Sequence, residues 1–321
     1  MNTLHRSLAR SLAAAAAIAF GSAAAAWPEK PVKIIVPFPA GGASDATARA
    51  IGQALARRLA QPVVIENRPG ASGALAAQSV MAAPPDGYTV LWASAGMVSL
   101  PYLQKKPPYA SMDEMAAVGT VARLPFCTFV HPSVPARTLA ELGSHARQRP
   151  GALNYASGSV SEILAGAKLQ KATGTTMEHV PYKGGAQLMP DLVAGRLQVN
   201  IGPCSTGIAY VKSGSLRVLA TLLPARSTLL PEVPTAAEAG FADLAVPTWQ
   251  ALLFPPRTSR EIAAKLAREV AESLKEADTL AQFERIGVQP ASSTPEELAA
   301  LIRRDAPMWA GFVRDFGIEA E

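Results

Sequence analysis

Between residues 31 and 92 the chain alternates short apolar runs with longer amphipathic stretches, and each apolar run ends in a loop of small residues. The run 32–36, Val-Lys-Ile-Ile-Val, reads as a strand. Over 45–60, Ile51, Leu55 and Leu59 recur at a spacing of four and predict a helix with one apolar face. Gln61-Pro62 breaks it, 63–65 is a second strand, 74–81 a second helix, and 88–92 a third strand. This β-α-β-α-β order demands parallel strands joined by right-handed crossovers. Loops 37–44, 67–73 and 94–96 then share the carboxyl edge of one sheet, where open α/β sheets bind ligands.

All three loops are rich in Gly, Ala and Ser, which let a ligand approach the backbone closely. At a helix start such a loop leaves several N–H groups free to hold an anion. The amides of Gly41, Gly42 and Ala43 are therefore expected to face a ligand, with Ala40 beside them and Phe38 as an apolar wall or a core aromatic. Asp45 suits two roles, a cap for the helix start or a ligand contact through water. Asn67, Ser94 and Ala95 stand at the next two strand ends, where a side chain can bond a carboxylate or a bridging water.

A second alternating block follows. Strands are predicted at 126–130, 153–156, 178–180, 197–201 and 216–222, with helices between them. Thr138 with Glu141 forms a capping pair. Strand-end loops place Ser157, Gly158 and Ser159, then Tyr182, Lys183 and Gly184, then Gly202, opposite the first set. Tyr182 can wall a pocket and donate a hydrogen bond; Lys183 either neutralises a second carboxylate or stays solvated. Trp249 is a further apolar wall or a core aromatic. The last stretch is helical, with Ser259 capping one helix and Thr294-Pro295-Glu296-Glu297 opening another in the favoured order. The class is thus α/β, with two such units.

The first 26 residues read as an export signal. Arg6 and Arg10 precede an apolar stretch from 12 to 20, and Ala24-Ala25-Ala26 offers small residues for cleavage before Trp27. The remainder is only slightly basic, and no Lys/Arg run is long enough to follow a nucleic-acid backbone, so no nucleic acid is expected. Export permits a disulfide between Cys127 and Cys204, the only cysteines, but nothing in the sequence places residues 77 positions apart within bonding distance, and two buried free thiols are the plainer reading. No Cys/His cluster has metal spacing, and no Gly-x-Ser-x-Gly or phosphate-loop motif is present, so no metal, cofactor or catalysis is expected.

Several ordered segments resemble one family, the Bug-type extracytoplasmic solute receptors of tripartite tricarboxylate transporters. They are Trp27-Pro28 with residues 31–38, Gly41-Gly42 with Asp45, Glu66-Asn67-Arg68-Pro69-Gly70-Ala71, and Pro85-Asp86-Gly87-Tyr88-Thr89. His131-Pro132-Ser133, His179-Val180-Pro181-Tyr182-Lys183-Gly184, Leu230 to Thr235, and Glu238-Ala239-Gly240 complete the set. The resemblance implies a periplasmic-binding-protein fold with a ligand cleft between two hinged domains. Domain 1 would comprise 27–125 and 251–321, and domain 2 residues 126–250. The ligand would be a small organic carboxylate, held mainly by backbone groups and water. The partner would be a membrane permease with a large and a small subunit; a sensor's periplasmic domain is the alternative. Two departures stand out: the loop 157–161 is about two residues shorter than in many members, and Gly202 stands where many carry an acid.

Overall fold

The computed structural model describes residues 27–223, 225–227 and 230–316; the export-signal reading lies outside them. In the first unit, β1 (Val32–Val36), α1 (Ala43–Leu59), β2 (Val63–Asn67), α2 (Ala74–Met81) and β3 (Thr89–Ser94) follow the expected order. β1 pairs in parallel with both β2 and β3. The pleat sends alternate residues of β1 to opposite faces. Ile34 and Val36 join Ile51 and Leu55 of α1 in one core, while Ile35 joins Leu91 and Ala77 in another. Helix α1 opens at Ala43, two residues earlier than the periodicity suggested, because extended Gly42 (φ −81°, ψ 170°) serves as its N-cap.

A short helix, α3 (Leu100–Leu103), leads to β4 (Ala116–Arg123). The chain then enters a second sheet through β5 (Phe126–Val130), α4 (Leu139–Gln148), β6 (Asn154–Ser157), α5 (Val160–Thr173), β7 (Glu178–Pro181), α6 (Gly185–Val193), β8 (Val199–Pro203), α7 (Cys204–Lys212) and β9 (Arg217–Thr221). It returns through β10 (Trp249–Phe254), α8 (Arg260–Ser273), α9 (Ala277–Ile286), β11 (Gln289–Pro290) and α10 (Pro295–Asp315). The six-stranded sheet has the order β11-β4-β10-β3-β1-β2, the five-stranded one β7-β6-β8-β5-β9.

Neither sheet is wholly parallel. β10 runs antiparallel to β3 and β4, and β5 antiparallel to β8 and β9. In each sheet, the antiparallel strand abuts a passage between the two units. One passage leaves β4 at Arg123 and enters β5 at Phe126; the other enters β10 at Trp249. They lie side by side, with the Leu124 N–H donating to the Thr248 carbonyl at 3.0 Å. The cysteines also meet: Cys127 of β5 is bridged to Cys204, the first residue of α7, with Cα atoms 4.9 Å apart. Of the two sequence readings, the disulfide is the one present.

Candidate functional site

Between the sheets lies a cleft of about 680 Å³ including its open mouth. Its walls come from helix beginnings. α1 contributes its N-cap Gly42 with Ala43 and Ser44; α5 contributes its N-cap Ser159 with Ser161 and Glu162. α6 contributes N-cap Gly184 with Gly185, Ala186 and Gln187, and α7 contributes N-cap Pro203 with Thr206. Four helix N-termini therefore open on one space. Each helix start leaves N–H groups without intrahelical partners and carries about half a positive charge, although the first N–H of α7, that of Cys204, is taken by the Pro125 carbonyl. Phe38, Leu124, Phe126 and Trp249 supply apolar wall, and Ser94 and Ala95 close the edge at the end of β3. Among the described residues, none that lines the cleft is Lys, Arg or His. The site can hold negative charge by oriented dipoles and N–H donors while its apolar walls exclude water.

Small residues make this convergence sterically feasible. A Cβ on Gly158 would lie 2.5 Å from the Gly184 carbonyl carbon and 2.6 Å from the Gly185 nitrogen, so only glycine lets the loops after β6 and β7 touch. A Cβ on Gly184 would reach 3.2 Å from Pro39 on the opposite unit.

Nine of the residues singled out in the sequence line the cleft: Phe38, Gly42, Ala43, Ser94, Ala95, Gly158, Ser159, Gly184 and Trp249. The others sit around it. Ala40 and Gly41 are exposed beside the mouth, and the Gly41 amide, expected to face a ligand, donates to Asp45 at 3.0 Å. Asp45 is buried in the first turn of α1 and also accepts from Arg49 (3.0 Å) and Asn67 (2.9 Å). Burial opposes its charge, but the bonds from Arg49, Gly41 and Asn67 and the guanidinium charge outweigh that and hold its carboxyl below the ordinary value. Asn67 ties the same loop by donating to the Phe38 carbonyl at 3.0 Å. These three residues brace the cradle from behind.

In the second unit, the Ser157 hydroxyl pairs with His179 Nε2 at 2.7 Å, and burial pushes the His179 pKa down. Tyr182 donates to Asp191 at 2.6 Å, and Lys183 is exposed; both lie outside the lining. Gly202 is buried just behind it, where a Cβ would stand 3.0 Å from Asn200 Oδ1 and 3.3 Å from Glu162 Oε2.

Of the polar wall residues that sequence reasoning missed, two bear most on the chemistry. Glu162 accepts from the Gly158 amide (2.8 Å), the Ser159 hydroxyl (3.2 Å) and Asn200 Nδ2 (3.3 Å). Burial pushes its carboxyl up to about 7, against the lowering pull of those bonds. The Ser-x-x-Glu spacing of 159 and 162 was a readable capping signature. Gln250 enters from β10 and donates to the Ser44 hydroxyl; its Oε1 is buried without a protein partner among the described residues. No local pattern announces a residue delivered from so distant a strand.

A family model described as "Tripartite tricarboxylate transporter family receptor" matches residues 47–318. The chain belongs to that receptor family. The curated Protein BugT of Bordetella pertussis is 32% identical over 309 residues, covering 95% of this chain and 94% of BugT. The solved periplasmic binding protein BugD is 28% identical with a TM-score of 0.85, covering 92% of this chain and all of BugD. Rpa4515 of R. palustris, solved with adipate, is 30% identical with a TM-score of 0.86, over 92% of this chain and all of that one. The receptor therefore has the periplasmic-binding-protein fold of two α/β domains, and its family is one of solute-binding receptors rather than enzymes. No described helix is long and apolar enough to cross a membrane.

Proposed function

We propose that the protein is an exported receptor that captures a small organic carboxylate, most favourably a dicarboxylate, between its two domains and delivers it to a two-subunit membrane permease. The carrying observation is the convergence of four helix N-termini on a cleft whose lining contains no cationic side chain. Oriented backbone donors of this kind suit a planar carboxylate and hold it without a salt bridge. Adipate in the related Rpa4515 supports the ligand class. The domains would be those expected from the sequence, with the second boundary drawn at Trp249 rather than 251 because β10 begins there in the six-stranded sheet; they would be joined at the paired passages, with a signal removed before Trp27. Ligand bridging both walls would favour the closed form that docks on the permease.

The test is a thermal-shift screen of residues 27–321, first unfolded and refolded to strip carried-over ligand, against mono-, di- and tricarboxylates, amino acids and amides. A concentration-dependent rise with an acid class is expected, because a ligand that binds only the native state stabilises it. Gly42→Asp should abolish that rise with the fold intact, since the nearest atom to a new Cβ is the Pro39 carbonyl at 3.8 Å. A flat response from refolded parent protein refutes the proposal.

A further inference from the structure

We propose that Glu162 makes dicarboxylate capture proton-coupled: the receptor binds its dianionic ligand with this carboxyl protonated, and takes up a proton from solution when it arrives ionised. The inference rests on the carboxylate reading above and concerns the same cleft.

Glu162 is 4% exposed and lines the space where a carboxylate would sit. Among the described residues it is the only titratable one in that lining. Counted as helix ends, the four N-termini supply about +2. An ionised Glu162 cancels about half of that, whereas a neutral Glu162 leaves a field matched to a dianion. With no cation in the lining, a ligand carboxylate and an ionised Glu162 would share a water-poor space, and like charges so placed drive one of them to hold a proton. The neutral acid also gains a role the carboxylate lacks, because its O–H can donate to a ligand oxygen.

The surroundings leave this titration to the ligand. Among the described residues, the Glu162 carboxyl is bonded only by Gly158, Ser159 and Asn200, all uncharged. Of the elements packed on α5, β8 and the turn Ala95–Ser99 carry no titratable side chain, and β6 carries Tyr155, stacked on His179. α4 carries Glu141, His145 and Arg147, and the turn Ala242–Leu244 carries Asp243. On α5 itself, Lys168 is turned to the carbonyls of Asp243 and Ala245, at 3.0 and 2.7 Å, and Lys171 lies in the last turn. None of these bonds Glu162. Because burial, opposed by the bonds from Gly158, Ser159 and Asn200, already brings the carboxyl to about 7, a nearby anion moves it through the working pH range.

The experiment is isothermal titration calorimetry of the mature protein with succinate, glutarate and adipate, at pH 6.5 and 8, each in two buffers of different ionisation enthalpy. For the tightest of the three, about 0.9 proton should be taken up per ligand at pH 8 and about 0.2 at pH 6.5, with affinity about eightfold weaker at the higher pH. Glu162→Gln, which keeps the shape and stays neutral, should bind the same acid with no proton uptake and no pH dependence. A monocarboxylate bound at the same site should show the smaller pH dependence. Binding without proton uptake at pH 8, or uptake that survives in Glu162→Gln, overturns the coupling and leaves the carboxylate reading standing. No binding of any of the three acids by folded protein that also fails the carboxylate screen overturns both, and binding of monocarboxylates alone overturns the coupling.

Discussion

Adding one methyl group to Gly158 should damage this receptor far more than adding one to Gly42, although both glycines line the cleft. At Gly158 the new Cβ would stand 2.5, 2.6 and 2.7 Å from backbone atoms of Gly184 and Gly185. An ordinary contact needs about 3.4 Å or more, so the loop after β7 must withdraw by about 0.9 Å. Backbone cannot swing aside as a side chain tip can, and overpacking of this kind costs about 1–3 kcal/mol. At about 2–4 °C per kcal/mol, the melting temperature of Gly158→Ala should fall by about 2–12 °C. The withdrawal also retracts the N-terminus of α6, so carboxylate affinity should fall by about tenfold, equivalent to about 1.4 kcal/mol. Gly42 is the control: its backbone is extended (φ −81°), and a Cβ meets nothing closer than 3.8 Å. Gly42→Ala should melt within about 1 °C of the parent, as surface substitutions free of such clashes do. Differential scanning fluorimetry with a ligand titration reads both. Equal melting temperatures and equal affinities for the two variants would refute the packing argument.

Asn67→Ala removes the bonds to the Phe38 carbonyl and Asp45, and urea unfolding should show a loss of about 1–3 kcal/mol, the usual cost of unmaking partly buried hydrogen bonds. The raised Glu162 carboxyl means that the folded state holds its proton more tightly than the unfolded chain. Its contribution is complete below about pH 4.5 and is lost as pH rises through about 7, amounting to about 3 kcal/mol. Glu162→Gln should flatten that slope in urea midpoints measured from pH 5 to 8; an unchanged slope would reject the assignment. Asp45 has the opposite sign, since its lowered carboxyl stabilises above the ordinary carboxylate value and loses that contribution as pH falls through its folded pKa. Asp45→Asn should therefore remove part of the acid limb of the same profile. Replacing both Cys127 and Cys204 by Ala should cost about 4–5 kcal/mol for a crosslink spanning 77 positions, read as a lower denaturant midpoint.

What the sequence made legible was local. The strand-loop-helix at 32–59 could be read because the signals lie adjacent: an apolar run, small residues, then a four-residue repeat. Gly42, Gly158 and Gly184 followed from the same logic. What stayed hidden was non-local. β10 is buried throughout, and its partners β3 and β4 lie more than a hundred residues earlier, so nothing near Trp249–Phe254 says which way it runs. Gln250 reaches the cleft only because of that pairing. Asn67 and Tyr182 sit at strand ends as expected, yet each side chain is bound by a partner, Asp45 or Asp191, that only the fold brings within reach. Glu162 had a local signature, but capping and ligand-facing roles share it, and only burial distinguishes them.

The two passages between the sheets run beside each other, and Leu124, Phe126, Thr248 and Trp249 on or next to them also form part of the cleft wall. A rotation of one half against the other about these passages acts as a lever. In the proposed closure, atoms near the pivot travel little, while Pro39 and Gly184, in loops after strands two and three places from β10 and β5, travel more. The part of a ligand lodged against the pivot is thus gripped from first arrival, and the part at the rim is read only on shutting. Chemical groups at the two ends of one ligand would then govern different rates, the inner end how fast it lands and the outer end how long it stays.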